Sequence, residues 1–409
     1  MLYSMQRHEL LRPLLPGLFF VLGGLTAIVA LHFKPSFRPL FLLPALGLTA
    51  LSISTISEIS NSWIPQAQAF GMCLGLTSFY QLLFLPILLC NHDGRYGVFQ
   101  PTKEAASAST TSYRTVSFQS FAEAYRQWND PRKLPLRPVT KPKPQSSDKT
   151  LAFVLQCGLN MAIIYLVDHN IVQPLFENIM SQAMLVDFAP ESESLLRRLP
   201  SMLEWGSTLD YEQLSVRVLT SLHWLWHDYQ VIETCHSGLA ILFVGVLRFD
   251  KPDEWPPLYG SILDASSVRG LWGKYWHRIM TTTYATYAKM FSRTICRVRA
   301  GSTLDKTLVA FGIFAISGAG HALVNWQRKE IALSRDMLFF LANFAAILFE
   351  ISVAKVVQAC MSRALYGAMV CSRQARVLGY CWVCCWLIWI VPRWEYPRIY
   401  NSWIEAVLG

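Results

Sequence analysis

Charged side chains are scarce in this chain of 409 residues. Asp, Glu, Lys and Arg together make up 15% of it, whereas hydrophobic residues make up 53%. Soluble domains carry about 25% charged residues, so the composition excludes an ordinary soluble protein. A nucleic-acid-binding protein would need a basic folded face outside a membrane. The net charge of +9 is carried mainly by loops between apolar runs, and we expect no nucleic-acid partner.

Two other patterns are missing. Sustained alternation of apolar and polar residues, which predicts half-buried strands, does not occur between turn signals. The ten cysteines are scattered, and most lie within or beside apolar runs. Cys381 and Cys384 have the spacing of a redox or zinc pair, but no second pair of ligands follows at a suitable spacing. We therefore expect no metal and interpret the cysteines as small buried apolar residues.

Long apolar runs are what the sequence does contain. A membrane-spanning helix needs about 20 predominantly apolar residues. The prediction is an all-α fold, a polytopic integral membrane helical bundle with about eight transmembrane helices. The candidate spans are 14–31, 39–56, 70–90, 151–167, 231–249, 304–323, 337–358 and 377–392. No A-x-A-like cleavage site follows the first run, so we expect it to be retained. The amphipathic segment 214–230 is expected to lie at the interface or to cross poorly.

Loop charge predicts the orientation of these spans. Residues 91–150 hold ten Lys and Arg against five Asp and Glu, and residues 251–303 hold eight against three. Residues 168–213 hold two against eight. Basic loops stay in the cytosol, so the first two loops are predicted to be cytoplasmic and the third lumenal. Within a single membrane-embedded domain covering 1–409, the Ser-, Thr-, Pro- and Lys-rich segment 101–150 is predicted to be a mobile cytoplasmic loop.

A histidine closes the apolar run 304–323, at His321. An ionisable side chain in hydrocarbon costs about 2–3 kcal/mol or more, so it generally faces a protein interior or a polar cavity. The four small residues just before it, 317–320, let helices approach closely or leave space beside the ring. His321 is therefore a candidate functional residue. The alternative is a histidine that sits at the membrane interface near a helix end.

The second concentration of chemical groups lies in residues 266–280, where cations alternate with rings. These residues are Arg269, Trp272, Lys274, Tyr275, Trp276, His277 and Arg278. As a regular helix the segment would place Arg269, Gly273, Trp276 and His277 on one face. Such a face suits a phosphorylated cofactor with an adenine or thioester to stack. A membrane-surface helix explains the composition equally well.

The order of these two elements resembles the membrane-bound O-acyltransferase superfamily, and more narrowly its wax-synthase-like branch of fungal natural-product acyltransferases. The first signature of the family is an aromatic residue and a Trp, followed by a second Trp and then Asn or His. Its positions are occupied here by Leu271, Trp272, Gly273, Trp276 and His277. The second signature, Ser-Gly-x-x-His, follows about forty residues later and is met by Ser317, Gly318 and His321. Leu271 stands where an aromatic residue usually precedes the first Trp, and many relatives carry Asn in place of His277. The resemblance covers roughly residues 235–360, the predicted motif-bearing catalytic region.

The resemblance implies a multi-pass enzyme of the endoplasmic reticulum that transfers an acyl group from coenzyme A to a hydroxyl. His321 would be the general base, since neutral imidazole suits that role near pH 7. His277, the Trp276 indole and Asn325 are candidate donors to the oxyanion. Arg269, Trp272, Lys274 and Arg278 would bind the donor. No cofactor is expected to be permanently bound; the co-substrate is acetyl-CoA or another acyl-CoA, and a hydrophobic alcohol enters from the bilayer.

Several other functions compete with this one. Within the family, acetyl transfer to a terpenoid or polyketide-derived alcohol is preferred to a long-chain wax-ester synthase. His223 and Asp228 have the spacing of the glycerolipid acyltransferase pair, but the phosphate-binding block of that family is missing. His223 and His227 could ligate a metal as in membrane desaturases, which need about eight clustered histidines. A transporter would need broken helices at corresponding positions in the two halves of the chain, and the second half has no convincing counterpart of the Gly- and Pro-rich spans of the first. Isolated acidic residues such as Glu350, which could pair with Lys355 or line an acceptor tunnel, are a weak indication of a terpene cyclase.

The predicted orientation can be tested with single cysteines introduced into 101–150 and into 190–210. Probes in 101–150 should react with impermeant thiol reagents from the cytosolic side alone. Probes in 190–210 should react only once the lumenal side has been opened, because the charges of the two loops are opposite in sign. Labelling of both loops from one side would contradict this orientation.

Overall fold

The computed structural model describes residues 11–60, 66–90, 118–129, 147–190, 192, 211–329 and 333–408. Every regular element among these residues is helical. The longer helices are α1 (Leu15–Ala30), α2 (Leu42–Ser54), α3 (Ala67–Cys90), α4 (Phe118–Trp128), α5 (Ser147–Val167), α6 (Tyr211–Ala240), α7 (Thr281–Met290), α8 (Thr303–Gln327), α9 (Leu333–Cys360), α10 (Arg363–Cys371) and α11 (Arg373–Leu408).

Eight helical segments of the described chain are long and apolar enough to cross a membrane. They are Arg12–Ala30, Pro35–Ile59, Ala67–Cys90, Lys149–Met180, Gln213–Val246, Thr303–Gln327, Ser334–Cys360 and Arg373–Ile404. Each coincides with or contains most of a run predicted from the sequence, because runs of about 20 apolar residues are themselves the signal of a span. The prediction of an all-α polytopic membrane protein with about eight spans is confirmed.

The predicted start of the fifth span at residue 231 is wrong, because the apolar helical segment begins at Gln213. The expectation that 214–230 lies at the interface or crosses poorly stays a prediction. Helix α6 runs through this segment without a break and continues as the π-helical turn Ile241–Val246. No proline interrupts it, and its polar groups find partners inside the protein. Trp226 Nε1 donates to Asp168 Oδ1 at 2.8 Å, and the hydroxyls of Thr220 and Ser221 donate to carbonyls one turn earlier in α6. Polar residues satisfied in this way are compatible with a spanning helix.

The expectation of a mobile loop throughout 101–150 is also wrong in part. Helix α4 lies inside it, and α5 begins at Ser147; residues 101–117 and 130–146 lie outside the described residues. Phe121, Ala124, Tyr125 and Trp128 recur at three- and four-residue intervals, which is the pattern of an amphipathic helix. The Trp128 indole donates to the buried side-chain oxygen of Gln81 on α3 at 3.1 Å. The Lys- and Pro-rich neighbouring residues concealed this short pattern in the overall composition.

The cysteines are not buried, contrary to expectation. Seven of the ten are exposed on the protein surface and the other three are partly exposed. Most lie on spans, where the outer face contacts lipid, and a thiol in hydrocarbon carries no desolvation penalty comparable to that of a charge. Burial inside the protein is therefore not required of them.

Contacts divide the chain into two compact units that interleave in sequence. The first unit comprises Met1–Thr140 and Arg278–Met337, and the second comprises Lys141–His277 and Leu338–Gly409. The prediction of one domain covering 1–409 stays a prediction.

Small and polar residues hold the helices of the first unit together. Glycine allows the closest approaches: a Cβ at Gly320 on α8 would lie 2.7 Å from the ring of Phe79 on α3, and one at Gly75 would lie 2.6 Å from Val324. Buried Gln81 donates to Thr49 Oγ1 at 2.9 Å, which joins α3 to α2. Close backbone approach and interhelical hydrogen bonds are the main associating interactions between helices in a membrane.

Aromatic rings form the interior of the second unit. Trp224 on α6 stacks on Trp276, with ring centroids 5.8 Å apart, and meets Trp394 on α11 edge-on at 5.7 Å. Phe339 on α9 stacks on Trp394 at 4.2 Å and also contacts Trp224. Offset and edge-to-face pairs of this kind add to the energy of burial. The first sequence motif, through Trp276, is part of this interior.

Candidate functional site

The first motif begins as a helix but does not remain one. Ser267 Oγ caps the short helix Val268–Gly270 by accepting from Gly270 N at 2.9 Å. A π-helical turn, Leu271–Tyr275, follows, and Trp276 N–H donates to the Leu271 carbonyl at 2.7 Å. Trp276 itself is extended. The predicted single helical face carrying Arg269, Gly273, Trp276 and His277 is therefore wrong, because the chain leaves the helix before the last two residues.

A polar side chain on α9 fixes the first tryptophan of the motif. Asn343 is fully buried, and its Oδ1 accepts from Trp272 Nε1 at 3.0 Å and from Trp386 Nε1 on α11 at 2.9 Å. Its Nδ2 donates to the carbonyl of Phe339 at 2.9 Å. Asn343 thus uses both ends of its amide, and the two indoles it binds come from different parts of the second unit.

Glu350, two turns further along α9, binds the start of the same motif. Its carboxylate accepts from the backbone N–H of Val268 at 2.6 Å and of Arg269 at 3.0 Å, and from Trp382 Nε1 on α11 at 2.7 Å. Free N–H groups at the start of a helix attract an anion. The expected ion pair with Lys355 is absent from this part of the described chain, and Glu350 instead satisfies the orphan donors of Val268–Gly270.

Close backbone approaches lock the motif against its neighbours. Gly260 N donates to the Tyr275 carbonyl at 2.8 Å, and a Cβ at Gly260 would overlap the carbonyl oxygen of Lys274. A Cβ at Gly379 on α11 would likewise overlap the carbonyl oxygen of Ser266. Both positions require glycine for space, so the chain before and after the π-helical turn is held by backbone contacts.

His277 lies at the end of the motif in an aromatic surrounding. Its ring centroid is 5.7 Å from that of Trp276 and 6.0 Å from that of Tyr259, which meets it edge-on. Burial lowers the pKa of the imidazole from 6.5 to about 4, so the ring is neutral at pH 7. Nδ1 is buried and has no hydrogen-bond partner among the described residues. A neutral imidazole with an unused nitrogen can accept or donate one hydrogen bond, depending on its tautomer.

Tyr259 is a polar residue of this site that sequence reasoning missed. Its hydroxyl is buried and, within the described ranges, has no hydrogen-bond partner. The ring meets Trp276 edge-on at 5.6 Å. Burial is the largest cause, and nearby Asp228 the second, of a pKa of the phenol above its ordinary value of 10. The hydroxyl therefore stays a hydrogen-bond donor at neutral pH. No spacing in the sequence links Tyr259 to the motif.

The basic side chains that were predicted to bind the acyl donor lie on the surface. Arg269 and Arg278 are exposed, and Lys274 Nζ lies 3.3 Å from Asp264 Oδ1 in an exposed ion pair. Exposed ion pairs contribute little energy, so Lys274 can exchange this partner for another anion. Arg269, Trp272, Lys274, Trp276 and His277 belong to the second unit, whereas Arg278, His321 and Asn325 belong to the first.

His321 lies in the last third of α8, half-buried, with its Nδ1 buried. Ser302 caps the start of the helix, and its hydroxyl accepts from Asp305 N at 3.1 Å. Gly318 and Gly320, both buried, lie in the turn before the histidine. As predicted from the small residues, this turn packs closely: Gly320 contacts Phe79 on α3. The histidine is thus placed by a well-packed span.

Asn325, one turn beyond His321, is fully buried. Its Nδ2 donates to Asp336 Oδ1 at 2.9 Å, and Asp336 is fully buried as well. The Asn325 side-chain oxygen is buried without a hydrogen-bond partner in the described part of the chain. One of the two hydrogens on Asn325 Nδ2 is therefore bound to Asp336. If Asn325 donates to the oxyanion as predicted, it would use the second hydrogen. No spacing in the sequence singled out Asp336.

No group of three or more His, Cys, Asp or Glu side chains that could hold a metal ion occurs in the described ranges. His223 and His227 on α6 lie with their rings 6.0 Å apart, and His223 stacks on Phe176 at 3.8 Å. The i, i+4 histidine pair is accordingly part of an aromatic stack.

The depressed pKa of His277 predicts a pH dependence of stability. Between pH 6.5 and about 4 the unfolded chain binds a proton on this imidazole that the folded protein does not. The contribution of this imidazole to the free energy of unfolding is therefore fully present above about pH 6.5 and is lost as the pH falls toward 4. His277→Gln should therefore lose less thermal stability than the wild type between pH 7 and pH 5 in detergent. His169→Gln, which removes an exposed imidazole, is the matched control; equal losses for wild type and His277→Gln would contradict the neutral buried ring.

Comparison with known proteins shows a match over one segment that contains both motifs. The model of the Membrane bound O-acyl transferase family matches residues 255–342, a range that includes both His277 and His321. The acetyltransferase nanB of Aspergillus nanangensis is 26% identical over 227 residues, which are 54% of this chain and 50% of that protein. The acetyltransferase fsoF of Humicola fuscoatra is 27% identical over 276 residues, 66% of this chain and 64% of that protein.

A third relative, the acetyltransferase TRI7 of Fusarium sporotrichioides, is 28% identical over 174 residues, 40% of this chain and 38% of that protein. The matches thus span between 38% and 64% of the length of these relatives. No solved structure matches the chain. The predicted resemblance to the membrane-bound O-acyltransferase superfamily and to its fungal acetyltransferases is confirmed, over a segment that carries both motifs.

Proposed function

We propose that this protein is a membrane-bound O-acyltransferase that transfers an acetyl group from acetyl-CoA to a hydroxyl of a terpenoid or polyketide-derived secondary metabolite, in the endoplasmic reticulum membrane. The observation that carries the proposal is the family match over 255–342, which includes both histidine motifs. The matched fungal relatives are named acetyltransferases, which supports acetyl over longer acyl donors.

His321 acts as the general base in this proposal. Its imidazole takes the proton of the acceptor hydroxyl while that oxygen attacks the thioester carbonyl carbon. When the tetrahedral intermediate collapses, the carbon–sulfur bond breaks and the coenzyme A thiolate takes the proton back from His321. The ester and free coenzyme A are the products, and neither a metal nor an oxidant is consumed.

Donors are also needed for the oxyanion of the intermediate. His277 is neutral and has a buried ring nitrogen without a partner among the described residues, so it can present an N–H in one tautomer. The Trp276 indole and the second amide hydrogen of Asn325 are the other proposed donors.

The substrates approach from different media. Coenzyme A is a soluble polyanion, and the exposed Arg269, Lys274 and Arg278 provide positive charge for its phosphates. Trp272 and Trp276 provide ring faces for its thioester or adenine. A hydrophobic alcohol partitions into the bilayer and reaches the site from there.

The identity of the acyl donor distinguishes the proposal from a wax-ester synthase. Membranes that contain the protein should esterify members of a panel of alcohols with acetyl-CoA and not with palmitoyl-CoA. Esterification of fatty alcohols by palmitoyl-CoA alone would establish the wax-ester synthase instead. A protein that turns over neither donor with any alcohol of the panel would overturn the acyltransferase proposal.

Replacement of the proposed base should abolish turnover. His321→Ala should lower kcat by about 10²–10⁴-fold, because alanine cannot accept the hydroxyl proton. Membrane insertion should be near normal, since the substitution removes a polar group from an apolar span. His169→Ala, at an exposed position in another span, is the matched control and should keep wild-type activity. More than a tenth of wild-type activity in His321→Ala would contradict the assignment.

The proposed donor-binding cations should affect one substrate only. Arg269→Gln, Lys274→Gln or Arg278→Gln should each raise the KM for acetyl-CoA and leave the KM for the alcohol unchanged, because only ground-state donor binding is lost. Lys289→Gln, at an exposed position on α7 within the same basic segment 251–303, is the control. A membrane-surface role predicts lower protein levels with unchanged kinetics, and an unchanged donor KM in all three variants would exclude the donor-binding role.

A further inference from the structure

Two polar side chains on one face of α9 bind the first motif. Asn343 and Glu350 are seven residues apart, which is two helical turns, so both point the same way from the helix. Between them they accept five N–H groups, with donor–acceptor distances from 2.6 to 3.0 Å. We refer to this pair as the α9 clamp.

The donors of the α9 clamp come from two directions. Three belong to the motif segment: the backbone N–H groups of Val268 and Arg269 and the indole of Trp272. The other two are the indoles of Trp382 and Trp386, one turn apart on α11. The hydrogen bonds of the clamp therefore link the motif to α9 and, through α9, to α11. On the motif they hold the backbone at Val268 and Arg269 and the ring of Trp272.

Packing alone does not require these polar groups. A carboxylate within a membrane span is expensive, and an apolar side chain of similar size would fill the same space, although it would leave the bound N–H groups without acceptors. A carboxylate and an amide, however, accept only from donors in specific directions. The clamp therefore restricts the rotation of the motif about α9, which apolar contacts would leave less defined.

The clamped end of the motif determines where its other end lies. The π-helical turn starts at Leu271, two residues after the second N–H group that Glu350 binds. Trp276 follows the turn in extended conformation, and His277 comes next. Trp272 contacts Trp276, with ring centroids 5.4 Å apart. A shift at Val268 or Trp272 would therefore be passed on to Trp276 and His277.

We propose that Asn343 and Glu350 are positioning residues, which hold the segment Ser267–His277 so that Trp276 and His277 are presented to the acyl donor. They act through the motif and do not themselves touch the substrate. The proposal rests on the proposed acyltransferase function, and it assigns a task to an acidic residue in a span, Glu350, that composition alone does not explain.

The first measurement concerns the clamp itself and needs no activity. In Glu350→Ala, the backbone N–H groups of Val268 and Arg269 lose their acceptor, so hydrogen–deuterium exchange in a peptide covering 266–276 should become at least about tenfold faster. Exchange in α8 should stay unchanged. Unchanged exchange in 266–276 would overturn the proposal whether or not the protein is an acyltransferase.

The second measurement separates positioning from a general role in folding. Per folded molecule, Glu350→Ala and Asn343→Leu should raise the KM for acetyl-CoA about tenfold and leave the KM for the alcohol within about twofold. Glu350→Gln retains an acceptor oxygen for Val268 and Trp382 but turns an amide N–H toward Arg269, so it should fall between the wild type and Glu350→Ala. Equal changes in both KM values, or no rescue by glutamine, would overturn the positioning role.

Two controls on the same helix complete the test. Lys355→Gln removes an exposed charge five residues from Glu350, and Ser352→Ala removes an exposed hydroxyl that donates within α9, to Leu348 O at 2.8 Å. Within the described ranges neither residue has a hydrogen bond or ion pair with the motif, so both variants should behave as the wild type. An effect of Lys355→Gln equal to that of Glu350→Ala would assign the role to a charge pair. If Glu350→Ala fails to insert, Glu350→Gln carries both measurements.

Discussion

The second unit depends on one constraint: a polar, tryptophan-rich segment must find hydrogen-bond partners beside membrane spans. In hydrocarbon, water is not available to satisfy N–H groups, so the protein has to supply the acceptors. Asn343 and Glu350 supply five such bonds from one face of α9. The stacking of Trp224 on Trp276, the π-helical turn and the glycine contact at Gly379 all fit around this arrangement.

The helices of the first unit are held together differently, through small residues at their contacts. Gly75 and Gly320 let α3 and α8 approach to side-chain contact, and His321 is carried on the same tightly packed turn. A catalytic base needs a fixed position, and close packing limits the movement of its helix. The buried Asn325–Asp336 hydrogen bond, one turn beyond, adds a directional contact at this end of α8. Both proposed histidines are thus supported by rigid elements, one through hydrogen bonds and the other through packing.

Much of the fold was predictable because its signal is local. A span is a run of apolar residues, so all eight were identified from sequence, although one end of three of them shifted by 12 to 18 residues. Helix α4 was not predicted, since its short amphipathic pattern lies between a Ser- and Thr-rich stretch and a Lys- and Pro-rich one. The first motif was found by composition and order, but its helical face was wrong at Trp276 and His277. A π-helical turn has no distinctive composition, and it changes the direction of every side chain after it.

The sequence by itself determined the class of protein, the number of spans and the two histidine motifs, because hydrophobicity and motif spacing are properties of neighbouring residues. Only the tertiary structure decided what Glu350 does. From the sequence, Lys355 was its nearest opposite charge; in the folded protein its carboxylate binds N–H groups of Val268 and Arg269, 82 and 81 residues away along the chain. The reason is physical: orphan donors at a helix start need an acceptor, and which side chain reaches them depends on how distant helices pack.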